Sequence, residues 1–152
     1  MSGEYVEAYC RLRSSIVAEA PKGDLELEDE AYDEKRLRIE EQEFEQMRRT
    51  VYVTAAVGPA GELVAHTMLV VPGTEEGRAY QWDTLVLPEH RGHRLGLAVK
   101  VANLARMQHE HPDRTELHTF NAVDNPPMSA VNDELGFRSV ERIGEWQGPV
   151  PS

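Results

Sequence analysis

The chain has one cysteine in 152 residues. A lone thiol, Cys10, forms no intrachain disulfide and builds no cysteine-rich zinc site, so a reducing compartment is the simplest setting. Aromatic residues are few, at 7%. No apolar run spans a bilayer; the longest, Val64 to Val71, is short and interrupted by His66 and Thr67. The opening MSGEYVEAYC has neither the basic start nor the apolar stretch of a signal peptide. Positive charge is also scarce: the formal net charge is −11. That balance argues against a broad nucleic-acid surface, which needs excess Lys and Arg to displace counterions. It suits a cationic small molecule, and it equally suits plain solubility. The six histidines show no HxxxH-type spacing with a following acid, so no metal is expected. A cytoplasmic protein with no membrane and no nucleic-acid partner follows from these absences.

What is present fits one globular domain over residues 1–152, with 40% hydrophobic and 28% charged residues. Residues 3–19 read as a helix, because Tyr5, Tyr9, Leu12 and Ile16 form one apolar stripe and Pro21 and Gly23 follow it. A charge-rich helix is expected over about 30–49, with Leu37, Phe44 and Met47 on one face. The period then changes to two. TVYVTAAV, GPAGE and LVAHTMLVV read as a strand, a turn and a strand, a hairpin. AYQWDTLVL (79–87) is a third strand, stopped by Pro88. A helix from about Leu95 to His111 follows, with Leu95, Val99, Ala102 and Met107 among its apolar positions. TELHTFN (115–121) reads as a strand, NPPMSAVNDELG as a short helix stopped by Gly136, and FRSVERIGEW as a last strand.

The most cationic short loop, PEHRGHR, joins the third strand to the following helix. First-turn N–H groups of a helix lack intrahelical acceptors, and the dipole makes that end positive. Such an end binds phosphates. Gly92 and Gly96 allow close approach, and Arg91 and Arg94 can add charged hydrogen bonds to a diphosphate. The plainer reading is a glycine-containing turn with solvated arginines. The loop matches neither GxxxxGK(S/T) nor GxGxxG.

TLVLPEHRGHRLGLAVK resembles the acetyl-CoA-binding segment of the GNAT superfamily of N-acetyltransferases: an apolar strand, a proline turn, a (Q/R)xxGx(G/A) loop and a helix. NPPMSAVNDELGF is similar to that family's last motif block. Together with HRGHRLG, these segments resemble the C-terminal half of tandem-type actinobacterial members. The resemblance implies an α/β (α+β) fold, with a mixed, mostly antiparallel central sheet flanked by helices. The family usually opens with a strand before its two leading helices, whereas this sequence opens on a helix, so that strand is expected to be either absent or supplied by another polypeptide segment. An exposed sheet edge invites pairing, so a homodimer or a partner segment completing it is expected.

The same resemblance implies acetyl-CoA as co-substrate. A bulged strand would bond the pantetheine arm through Leu85, Val86 and Leu87. The diphosphate would be taken by backbone groups of Arg91, Gly92, His93, Arg94, Leu95, Gly96, Leu97 and Ala98. Asn125 matches the asparagine that opens the last helix near the pantetheine. Two departures stand out: Arg94 replaces the loop's first family glycine, and Asn132 replaces a tyrosine that often serves as general acid.

Acetyl transfer to an amine needs a base for the ammonium proton and donors for the oxyanion. Asp83 is the first candidate base and Val86 N–H the candidate oxyanion donor. Tyr80 and His118 come next, with less support for His66 and His90. The segment DLELEDEAYDE (24–34) holds seven acids and no base. Glu26, Asp29 and Glu30, with Trp82, would draw a small cationic amine to the acceptor side; a solvated acidic helix start is the bland alternative. Ser14, Ser15, Ser129 and Cys10 offer no nucleophile motif, so direct attack in a ternary complex is expected, without an acyl-enzyme. The alternative is a catalytically silent acyl-CoA-binding domain that regulates or completes a partner domain.

Overall fold

The alternating stretch after Arg48 folds into the predicted hairpin. β1 (Arg49–Val57) and β2 (Leu63–Pro72) pair antiparallel, and the connection turns at Gly61 with φ +87°. The computed structural model of the chain describes residues 3–19, 32–122 and 125–144. They fall into two compact units: residues 3–19 with 32–120, and residues 121–122 with 125–144.

In the first unit a short 3-10 turn (Gly3–Tyr5) leads into α1 (Val6–Glu19). The predicted stripe holds for Tyr9 and Leu12, which are buried, whereas Tyr5 is exposed. α2 (Glu34–Gln46) starts where Asp33 accepts a hydrogen bond from the Arg36 N–H at 2.8 Å. It ends earlier than the sequence suggests: Met47 is its C-cap and is 53% exposed, not part of the core. β3 (Arg78–Val86) pairs antiparallel with β2. α3 (Leu95–Glu110) crosses over to β4 (Glu116–Thr119), which pairs parallel with β3. Among the described residues the sheet order is β1-β2-β3-β4, which leaves β1 at an edge, and no strand precedes it.

Each face of this sheet has its own core. α1 and α2 place Val6, Tyr9, Leu12 and Leu37 against Leu63 and Leu85. α3 places Met107 on the other face, with Tyr52, Leu69, Val71 and Ala79. Each such fully buried aliphatic side chain contributes roughly 1.5–3 kcal/mol of transfer free energy. All ten residues of β2, shared by the two cores, are buried. The inward stripe of α3 differs from expectation. It comprises Gly96, Val99, Lys100, Asn103 and Met107, while Ala102 is exposed. Asn103 is accommodated because its Nδ2 donates to the Tyr52 carbonyl and its Oδ1 accepts from Thr54, both at 3.0 Å.

The second unit holds α4 (Pro126–Glu134). Asn125 caps it, its Oδ1 accepting from the Met128 N–H at 3.3 Å. The helix stops at Gly136, φ +83°. The expected last strand does not form over residues 137–144, which carry no regular structure; residues 145 and 146 lie outside the described residues. Its apolar side chains Val140 and Ile143 are exposed, so nothing buried rewards an extended pairing there.

Candidate active site

β3 is built around an irregularity. Its register with β2 runs Val70↔Tyr80 and Leu69↔Gln81, then resumes at Thr67↔Thr84, His66↔Leu85 and Ala65↔Val86. Met68 therefore faces two residues, Trp82 and Asp83, a β-bulge on β3. The bulge puts these two consecutive side chains on the α1/α2 side. Trp82 packs 5.5 Å from the Phe44 ring of α2, and Asp83 lies 3.5 Å from Arg13 of α1. A regular strand would send one of them to the opposite face.

The bulge also ends the parallel pairing. β4 pairs with β3 only from Arg78 to Gln81, and among the described residues no strand pairs with that side of β3 at residues 82–86. The Leu87 N–H donates to the Val64 carbonyl across the β2 side at 2.9 Å. By the alternation of an antiparallel ladder, Leu85 also turns its backbone groups to β2. Thr84 and Val86 turn theirs to the open edge. Of the three residues expected to bond the pantetheine arm, only Val86 thus presents backbone groups to the open side; those of Leu85 and Leu87 are turned the other way.

The loop after β3 begins with a 3-10 turn (Pro88–His90). Arg91 then folds back, its Nε donating to the Val86 carbonyl at 3.0 Å. Gly92 is left-handed, φ +81°, with open space where a Cβ would stand. His93 places Nδ1 3.3 Å from the His90 carbonyl. Arg94, in the family glycine position, adopts φ 60° and ψ 20°. The left-handed geometry is kept by an arginine, at a cost of roughly 1–2 kcal/mol. Arg94 is the N-cap of α3, and its carbonyl accepts from Ala98 N–H at 3.0 Å. The N–H groups of Leu95, Gly96 and Leu97 form the first turn, where no intrahelical acceptor exists. Gly96 packs against Val86, whose Cγ2 would lie 3.6 Å from an added Cβ. A positive helix start therefore touches the open end of β3. It is flanked by Arg91 and Arg94, and helix-start N–H groups with guanidinium donors are a set that can bind a phosphate group.

The α1/α2 side holds a polar cluster that sequence reading missed. Arg13 ion-pairs with Glu40 at 3.4 Å and with Asp83, and stacks 4.6 Å over the Tyr32 ring. Tyr32 donates to Glu40 at 2.5 Å. Asp83, the candidate base, is thus engaged with a guanidinium while keeping 41% of its side chain exposed. Nearby, the Tyr9 hydroxyl lies 3.5 Å from Nδ1 of His66, which is fully buried on β2. Burial, with the Arg13 charge adding to it, pushes His66 down to about 3, so its ring is neutral at physiological pH. Its Nε2 has no hydrogen-bond partner among the described residues. Across the sheet, burial pushes Lys100 down to about 8. The signal for these residues lay in the sequence: His66 and Thr67 interrupt an apolar run, and Lys100 falls one turn after Gly96.

Tyr80 and His118 come together, ring centroids 5.8 Å apart, but six residues before Val86, roughly 20 Å along the strand. The Tyr80 hydroxyl donates to Glu75 at 2.6 Å, which raises its pKa and keeps the phenol protonated, so it has no free lone-pair anion to take a proton. His118 pairs with Glu116, and His90 lies 3.6 Å from Glu62. A groove of about 370 Å³ lined by Glu75, Glu76, Gly77, Arg78 and Glu116 sits at that same far end of β3. In the second unit, the Asn132 carbonyl accepts from the Phe137 N–H at 3.0 Å. Glu26, Asp29 and Glu30 lie outside the described residues. Among the described residues no group of three His, Cys, Asp or Glu side chains is placed to hold a metal, and no helix is long and apolar enough to cross a membrane.

No curated protein matches the chain. Solved structures do. A tandem GNAT protein from the clavulanic acid biosynthesis pathway is 33% identical over 90% of this chain, with a TM-score of 0.65. The chain spans 38% of that protein's length. AAC(6')-Iy, solved with the bisubstrate analogue CoA-S-monomethyl-acetylneamine, is 18% identical; the match covers 99% of this chain and 95% of that one, TM-score 0.68. The aminoglycoside antibiotic 6'-N-acetyltransferase AAC(6')-IG from Acinetobacter haemolyticus is likewise 18% identical, covering 99% and 97%, TM-score 0.61. These last two likenesses speak for the fold. The Acetyltransferase (GNAT) family matches residues 16–137, most of the chain, and it is to this family that the chain belongs.

Proposed function

We propose that the chain transfers an acetyl group from acetyl-CoA to a primary amine of a small, cationic acceptor, by direct attack in a ternary complex. The observation that carries this reading is the junction of Val86 with the α3 start: a strand edge that no strand among the described residues pairs with, next to a positive helix end. The helix end, with Arg91 and Arg94, suits the diphosphate of coenzyme A. The Val86 N–H suits an oxygen of the pantetheine arm or the developing oxyanion. Acetyl-CoA brings a thioester. The amine nitrogen bonds to the acyl carbon as the carbon–sulfur bond breaks, the sulfur leaves with the electron pair, and the amine gives up a proton. Asp83, exposed beside the bulge, is the chain's group for that proton. Trp82 stands next to it, and the acids Glu26, Asp29 and Glu30 favour a cationic acceptor. An aminoglycoside-like polyamine belongs to that class. A second copy of the chain, or a partner segment, would complete the sheet at β1.

The test is release of coenzyme A, corrected for hydrolysis, across a panel of amines with wild type and Asp83→Asn. Turnover that falls with Asp83→Asn supports the reading. Binding of acetyl-CoA without turnover for every amine supports instead a silent acyl-CoA-binding domain. Asn132 favours that second reading, because an amide is no proton donor to a thiolate.

A further inference from the structure

One buried side chain hydrogen-bonds across the bulge in β3. Gln81, 3% exposed, is the residue just before it. Its Nε2 lies 2.7 Å from the Met68 carbonyl, 2.8 Å from Thr67 Oγ1 and 3.2 Å from the Trp82 carbonyl. Two of these partners only accept, which fixes the amide nitrogen, not its oxygen, toward them. Met68 is the residue that faces two, and Trp82 is one of those two. Gln81 therefore donates into the part of the ladder that the extra residue disrupts. Thr67 carries the chain of bonds onward, 2.8 Å from Thr84 Oγ1, to the first pair after the bulge.

We infer that Gln81 is a positioning residue: its amide locks the bulge, and the bulge turns the Val86 backbone to the open edge where the pantetheine arm is taken. The physical reason is parity. A strand alternates the edge to which successive residues turn their N–H groups. Removing the bulge slips residues 84–86 by one, which sends the Val86 N–H to β2 and Leu85 out of the α1/α2 core. The α3 start has its own anchor, the Ala98 N–H to the Arg94 carbonyl, while the Arg91 tie ends on Val86; the diphosphate site thus depends on the bulge less than the Val86 edge does.

This inference rests on the acetyl-CoA reading, and the experiment separates the two. Binding of coenzyme A and of 3'-phospho-ADP, its nucleotide half without the pantetheine arm, is measured by calorimetry for wild type and Gln81→Met. Methionine keeps the length and volume of glutamine and removes the donor. We expect a Kd for coenzyme A raised roughly tenfold, with 3'-phospho-ADP within twofold of wild type, the fold-change of about one charge-neutral hydrogen-bond system. A variant that was merely less stable would weaken both ligands alike. If Gln81→Met does not fold, Thr67→Val removes one acceptor at nearly constant volume and carries the same split at a smaller size. Equal loss of both ligands, or no loss of either, overturns the inference with the acetyl-CoA reading intact. A wild-type protein that binds neither ligand overturns both.

Discussion

Arg91 reaches back from the loop to the Val86 carbonyl at 3.0 Å, so one guanidinium joins the helix start to the strand edge it faces. Arg94 stands at the same helix start as the α3 N-cap, its carbonyl accepting from the Ala98 N–H at 3.0 Å. Reversing both charges, Arg91→Glu with Arg94→Glu, is expected to raise the Kd for coenzyme A roughly tenfold or more in low salt. Circular dichroism should stay unchanged. Calorimetric titration at two salt concentrations checks this; unchanged affinity removes the diphosphate assignment.

Arg94 also makes a stability prediction. Its left-handed backbone suits glycine. In Arg94→Gly the strain relief of roughly 1–2 kcal/mol is offset by about 0.4–1 kcal/mol of unfolded-chain entropy. The urea midpoint should hold or rise slightly. Arg94→Val, β-branched in the same conformation, should lose roughly 1–3 kcal/mol. Equal midpoints for the two variants would contradict the left-handed assignment.

His66 predicts acid sensitivity. Its folded-state pKa, about 3, lies below the ordinary value of 6.5. Between those values the unfolded chain binds the extra proton, so stability falls as pH drops through that window. The slope from this group approaches about 1.4 kcal/mol per pH unit in mid-window. Urea midpoints of wild type and His66→Gln, compared from pH 6.5 to 4, should diverge in slope, with the variant flatter. Parallel lines would mean that the imidazole is not held neutral.

Gly73 sits where its Cβ would lie 2.5 Å from the Arg48 carbonyl, while its own N–H donates to that oxygen at 2.8 Å. Backbone atoms cannot yield there cheaply. Gly73→Ala should cost roughly 1–3 kcal/mol, read as a lowered melting temperature. Gly92→Ala meets no neighbour and should cost only the positive-φ strain.

The sequence was a good guide wherever local chemistry decides. The change of period at Thr50, the proline and glycine punctuation, and the polar loop before Leu95 foretold the hairpin, β3, α3 and α4. It failed where tertiary packing decides. FRSVERIGEW has strand propensity, but residues 137–144 form no strand. Ala102 yielded the inward stripe to Asn103, whose amide finds Tyr52 and Thr54 from a strand some fifty residues away. The ion pair of Asp83 with Arg13 spans seventy residues and has no local signature. Gln81 is polar in an apolar strand, a visible oddity whose purpose appears only once the register with β2 is known.

β4 is four residues long, has β3 as its one partner among the described residues, and contains no buried residue, whereas β2 is fully buried between two neighbours. Separating β4 from β3 breaks few bonds and exposes little apolar surface, so its amides should exchange with deuterium through local opening while those of β2 wait for global unfolding. The sheet is thus graded in dynamics from its centre outward. Its loosest seam begins where Gln81 and Thr119 part, so the fold can breathe there without disturbing the strands that carry its stability.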